Sequence, residues 1–264
     1  MYAFEYKRPA NAADAKAAVA GDARYLAGGQ SLIQAMKLRL SSSERLVDLG
    51  GMADLKTIKM DGANVVIGAM ATHAQVAASA EVRRTCPAIA DLAAGIGDPM
   101  VRNMGTIGGS IANADPAACY PAGVLALGAT IHTSQRTIAA DAFFTGLYET
   151  ALQPGELITA VSFPPIQKAA YIKYKQPASR FALVGVCVSQ GSGGVRVAVT
   201  GAKGHVFRAT EIEAALGKSF TPEAAKAVKV PTTGINSDMH GTAEYRAAMI
   251  SVMASRAVAA ALKR

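Results

Sequence analysis

Tryptophan is absent from the 264 residues, and cysteine occurs only three times, as Cys86, Cys119 and Cys187. The three are far apart and form no CxxC pair, so neither an iron–sulfur cluster nor a zinc site is expected within this chain. Such sparse cysteine usage fits a reducing cytoplasm. The four histidines, His73, His132, His205 and His240, show no metal-ligand spacing. No apolar run reaches the ~18 residues of a membrane span. The N-terminal MYAFEYKRPAN lacks the apolar core of a secretory signal, so a cytoplasmic location is expected. Neither GxGxxG after a first strand nor GxxxxGK[ST] occurs, which disfavours Rossmann-type NAD binding and P-loop chemistry. Dense Lys/Arg clusters with interleaved aromatics are also missing, which argues against a nucleic-acid partner.

What is present is ordinary globular composition, with 51% hydrophobic residues and abundant alanine and glycine. The length suits one large or two modest domains. Charge is uneven. Residues 1–165 carry 13 Lys+Arg and 14 Asp+Glu, whereas residues 166–264 carry 14 and 5, so the whole net charge of +8 arises in the last third. A basic region of that kind suits nucleic acid, an anionic lipid face or an acidic protein surface, and docking of partner subunits is expected of it.

Along the chain, YKRPANAADAKAAVAGDARYLAGG predicts strand, helix and strand, with Asn11 as N-cap and Gly21 as helix stop. RLVDLGGM, NVVIGAMAT and ELITAVSF predict strands. THAQVAASAEVRRTCPAIADLAAGIG predicts helix broken at Pro87, and GVLALGATIHTSQRTIAADAFF a helix end and a hairpin. Pro164–Pro165 marks a boundary. Beyond it, AAYIKYKQPASRFALVGVCVSQGSGGVRVAVTGAKGHVFRAT alternates like antiparallel strands, with GSGG at a hairpin turn, and three helices follow. The expected fold class is α+β, with a domain over 1–165 (subdomains roughly 1–57 and 58–165) and a smaller domain of antiparallel sheet and helices over 166–264.

Two glycine loops carry the chemistry. LAGGQSL follows a strand and offers Gly28 and Gly29 beside the polar Gln30 and Ser31. NMGTIGGSIANADPA offers Thr106, Gly108, Gly109 and Ser110. A loop without Cβ atoms can aim several N–H groups at one oxyanion. Two such loops suit a diphosphate, although each alone is also explained as a tight turn. Taken by themselves, the residues reach as far as an anionic, dinucleotide-like ligand.

LAGGQSLIQAMKLRL, IGDPMVRNMGTIGGSIANADPAA, ALGA and YKQPASRFALVGV together resemble the FAD-binding medium subunits of the carbon monoxide dehydrogenase and xanthine dehydrogenase (molybdenum hydroxylase) family, over nearly the whole chain. The resemblance implies a vanillyl-alcohol-oxidase-type (PCMH-like) FAD-binding domain. It implies that Ala27, Gly28, Gly29, Gln30 and Ser31, with Leu32 beside them, form one diphosphate loop. Thr106, Ile107, Gly108, Gly109 and Ser110 would form the other. It places Asn113 and Asp115 toward ribityl or adenosine atoms, Ile96 and Gly97 near the ring, and Ile158 beside the isoalloxazine or adenine. It places Lys175, in YKQ, near the flavin edge, where a cation would stabilise the anionic reduced flavin; a solvated strand lysine is the alternative. One departure stands out. The family pattern is DPAAD and this chain has DPAAC, so Cys119 replaces a carboxylate that commonly touches the cofactor, which would weaken FAD binding or shift its potential unless Cys119 is simply a small buried residue.

The resemblance further implies a heterotrimer. A large subunit would hold molybdenum cofactor, a small subunit would hold [2Fe–2S] clusters, and this FAD chain would pass electrons to quinone, NAD or oxygen. No residue here is expected to be catalytic in proton transfer. A stand-alone flavoenzyme of the same fold and an FAD-free scaffold are the alternatives.

Overall fold

The computed structural model describes residues 1–264. Its elements group into three packed units. In the first, β1 (Glu5–Lys7), β2 (Ala23–Leu26) and β3 (Arg45–Asp48) form a parallel sheet in the order β1-β3-β2, crossed by α1 (Ala12–Ala18) and α2 (Leu32–Lys37). Asn11 caps α1, its side chain accepting from Asp14 N. So small a unit buries little on its own. Its core of Ala15, Val47, Leu49, Met52 and Leu55 is completed by Met70 and Leu157, which belong to the second unit.

The second unit holds β4 (Ile58–Asp61), β5 (Asn64–Gly68), β6 (Thr130–Thr133), β7 (Thr137–Ala139), β8 (Phe144–Gly146), β9 (Glu149–Thr150) and β10 (Ile158–Phe163). Its helices are α3 (His73–Ala78), α4 (Ala80–Thr85), α5 (Pro87–Ala94), α6 (Pro99–Met104), α7 (Ile107–Asn113) and α8 (Cys119–Ala126). Five strands make an antiparallel sheet in the order β4-β5-β10-β6-β7, and β8 and β9 pair alone. The predicted helical stretch is broken twice. Thr72 closes a capping box with Gln75 on α3, Ser79 caps α4, and Pro87 is the first residue of α5, where its missing N–H costs nothing. The α8 helix is buried along its whole length.

The third unit is an antiparallel sheet of β11 (Lys168–Lys175), β12 (Ala182–Gly191), β13 (Gly194–Thr200) and β14 (Phe207–Arg208), with α9 (Thr210–Lys218), α10 (Pro222–Ala227) and α11 (Ala243–Ala261). Gly191 pairs with Gly194 at the predicted GSGG turn. The sheet is buried on both faces. Val184, Val186, Val188, Val197 and Val199 pack with Ile250, Ala254 and Ala257 of α11, while Ala169, Cys187 and Ala198 join the core of the second unit. Side chains stitch the same seam: Ser189 Oγ donates to Ala126 O (2.6 Å), and Thr200 Oγ1 reaches Pro116 O (2.5 Å) and Ala118 O (2.8 Å). The segment 116–118 is therefore clamped to the third sheet. No helix is long and apolar enough to cross a membrane, and no group of three or more His, Cys, Asp or Glu residues could hold a metal ion.

Candidate cofactor site

The three units meet around one large cleft of about 470 Å³. The AGGQS loop leaves β2 and enters it. Gly29 has φ +69°, a conformation that favours glycine. Gly28 lies so close to the end of α6 that a Cβ there would sit 2.0 Å from Met104 O. The backbone N–H groups of Gly28, Gly29, Gln30 and Ser31 have no acceptor within the protein. Backbone donors are almost always paired when they leave solvent, so four consecutive unpartnered donors lining a cleft form a ready anion cradle. The Ser31 hydroxyl, which makes no capping bond to α2, adds a fifth donor.

The second glycine stretch is built differently from its expected loop. Gly108 and Gly109 lie inside α7, whose N-cap is Thr106. The N–H groups of Ile107 and Gly108 donate to Ala71 O and Ala69 O, that of Gly109 to Thr106 Oγ1, and that of Ser110 to Thr106 O. These donors are occupied, so the glycines serve close approach. A Cβ on Gly108 would meet Ala69 Cβ at 2.5 Å, and one on Gly109 would meet Ala27 Cβ at 3.2 Å. The two glycine stretches thus touch, and the second shapes the cleft floor on which the first presents its donors.

Of the other predicted positions, Leu32, Ile96, Gly97, Asn113, Asp115, Cys119 and Ile158 all line the cleft together with Ala27, Thr106 and Ser110. Gly97 has φ +50°, and its carbonyl and that of Ile96 are held by Arg102 Nη1. Asp115 accepts from Ala117 N through one carboxylate oxygen (2.8 Å). Two positions fall elsewhere. Ile107 is fully buried in the second unit's core because α7 turns it away from the cleft. Lys175 is exposed and does not line the cleft; Lys173 does. The pairing of β11 with β12 slips between Tyr174 and Lys175, which breaks the strand's alternation there.

Residues that the sequence patterns did not single out also face the cleft. Arg180 and Phe181 arrive from the turn between β11 and β12. His73, the first residue of α3, is 5% exposed, and its Nδ1 has no partner. Burial, with Arg102 nearby, lowers its pKa to about 4, so the ring is neutral at pH 7. Glu156 lines the cleft but is held by Arg136, Thr133 and Gln153 N. With Glu156 paired to Arg136, the remaining lining charges are Arg24, Lys173 and Arg180 against Asp115, a net positive balance that suits an anion.

A cleft between α/β units with a glycine anion loop at one end suits an anionic, dinucleotide-like ligand. The chain belongs to the family of FAD-binding medium subunits of molybdenum hydroxylases, and is an oxidoreductase subunit. The model for the FAD binding domain in molybdopterin dehydrogenase matches residues 2–166. The carbon monoxide dehydrogenase medium chain of Afipia carboxidovorans is 38% identical over 99% of this chain and 97% of its own length. The nicotine 6-hydroxylase medium subunit of Paenarthrobacter nicotinovorans is 33% identical over 97% of this chain and 96% of its own length. Among solved structures, carbon monoxide dehydrogenase from Hydrogenophaga pseudoflava superposes with a TM-score of 0.90 at 36% identity, covering 99% of this chain and 98% of that one. Quinoline 2-oxidoreductase from Pseudomonas putida gives 0.90 at 29% identity with the same coverage.

Proposed function

We propose that this chain carries FAD as the electron-transfer subunit of a molybdenum hydroxylase, taking electrons from [2Fe–2S] clusters of a small subunit and passing them to quinone, NAD or oxygen, while a large subunit holding molybdenum cofactor selects the substrate. The observation that carries the reading is the run of unpartnered N–H groups from Gly28 to Ser31 at one end of a positively charged cleft. FAD, when bound, supplies a centre that exchanges electrons singly or in pairs. The chain's own residues bind and orient it. Gly28–Ser31 hold a diphosphate oxygen, and Gly108 and Gly109, packed closely on Ala69 and Ala27, set the cleft floor beneath it. The apolar Ile96, Leu157 and Ile158 exclude water from the flat rings, and neutral His73 adds no charge to the cleft.

Domain division at 165/166 and a docking role for the basic residues 166–264 belong to the same reading, as does a reducing cytoplasm, supported by three unpaired cysteines. An absorbance spectrum tests the cofactor claim. The chain, expressed alone and with its genomic neighbours, is expected to show flavin bands and to release FAD on denaturation. Absence of flavin from both preparations, with FAD supplied, overturns the reading in favour of a scaffold. Co-purification with a molybdenum subunit and a two-cluster subunit separates the complex from a stand-alone flavoenzyme.

A further inference from the structure

Lys173 is a cleft-lining cation without a carboxylate. Its Nζ donates to Cys119 Sγ (3.3 Å) and to Arg180 O (2.9 Å), and it takes part in none of the protein's ion pairs. Cys119, the first residue of α8, lines the same cleft and is 5% exposed. The protein therefore places a thiol, and not a carboxylate, where the ammonium group would meet its counter-ion. Tyr171 and Tyr120, whose hydroxyls are buried without partners, supply no negative charge at neutral pH either, because burial pushes both phenols further up. A carboxylate at position 119 would sit within ion-pairing reach of Nζ, and the thiol does not neutralise it.

We infer that Cys119 and Lys173 form a charge-setting pair in which the thiol leaves the Lys173 charge uncompensated and directed at the cofactor, so that residue 119 sets the redox potential of the bound flavin. The inference rests on the FAD reading and adds to it the position that tunes the cofactor. Electron uptake makes the flavin ring anionic, and an uncompensated cation on the cleft wall favours that form over the oxidised one. Position 119 acts through Lys173. A carboxylate there would cancel the cation, whereas a neutral hydroxyl would not.

The test is an anaerobic, dye-equilibrated reduction of the FAD-loaded full chain, which reads the ratio of affinities for reduced and oxidised FAD. C119D and K173M are each expected to shift that ratio against reduced FAD at least tenfold, a fall of about 30 mV for a two-electron couple. C119S, which keeps a neutral group, and K175M, which alters the exposed lysine beyond the bulge, are expected to stay within twofold of wild type. Oxidised-FAD affinity from fluorescence titration is read in parallel. If C119D does not fold, K173M against K175M decides. FAD bound with a wild-type ratio in K173M overturns the inference, as does C119S shifting as far as C119D. A wild-type chain that takes up no FAD overturns the cofactor reading itself, and the inference with it.

Discussion

Gly28→Ala is the sharpest perturbation of the anion loop. The added Cβ would lie 2.0 Å from Met104 O, 2.7 Å from Met104 C and 2.8 Å from Gly105 Cα. Ordinary C···O contact begins near ~3.3 Å, so the loop or α6 must move by more than ~1 Å, and no flexible side chain can absorb it. Overpacking of this kind costs about 1–3 kcal/mol. At roughly 2–4 °C per kcal/mol for a chain of this size, the melting temperature of the protein without cofactor falls several degrees. The Gly28–Ser31 donors move with the loop. A hydrogen bond to a charged group contributes about 1.5–3 kcal/mol. Displacing two of them removes about 3 kcal/mol or more, and the Kd for FAD rises at least ~100-fold. The assay is fluorescence quenching of FAD by the purified chain, with a thermal melt of the same sample. Gly193→Ala is the control, since a Cβ there meets nothing within 4 Å. Wild-type affinity in G28A would refute the claim that the loop's backbone donors hold the cofactor.

Two further predictions concern the frame around the cleft. Hydrogen bonds from Arg136, followed by those from Gln153 N and Thr133, hold Glu156 at a pKa of about 2, below its ordinary 4.5. Its contribution is therefore complete above pH 4.5 and is lost as pH falls from 4.5 through 2. That contribution is about 2 kcal/mol once screening at the half-exposed Arg136 is allowed for. Urea unfolding at pH 7, 4 and 3 is expected to give E156Q a lower stability at pH 7 and a flatter acid slope; equal slopes in both proteins would count against the clasp. In the third unit, the buried Arg246 donates to both oxygens of Asp238 and to Leu183 O and Gly201 O at 2.9 Å each. R246M leaves the carbonyls of Leu183 and Gly201 without that donor, while the half-exposed Asp238 keeps its bond from His240 N, and is expected to cost about 2–4 kcal/mol. R246K, which lacks the planar fork, is expected to recover only part of that in chemical denaturation, and full recovery would contradict the geometry.

Features fixed over short stretches were legible in the chain alone. Asn11 caps its helix, Gly191 and Gly194 close their hairpin, and Gly28–Gly29 after a strand make an open anion loop, because each depends on backbone geometry within a few residues. The family resemblance, carried by the glycine motifs and their context, brought Cys119 and Ile158 to the cleft as well. Legibility ended where one residue's place depends on another unit. TIGGS carries the composition of a loop but folds as the first turn of α7, since Ala69 and Ala71 supply acceptors from a strand end some 40 positions earlier. Lys173 and Lys175 are equivalent in an alternating strand. Only the slipped pairing with β12 puts the first on the cleft and the second in solvent. His73, Arg180 and Phe181 carry no local signature: His73 is set by the bond from its N–H to Gly105 O, and Arg180 and Phe181 by the clamp between 116–118 and the third sheet, which fixes where that sheet stands. The sequence by itself determined most of the strands, the first helix and its cap, the anion loop and the kind of ligand. The tertiary structure decided which donors stay free and which lysine lines the cleft, because both follow from non-local pairing that local preference does not encode.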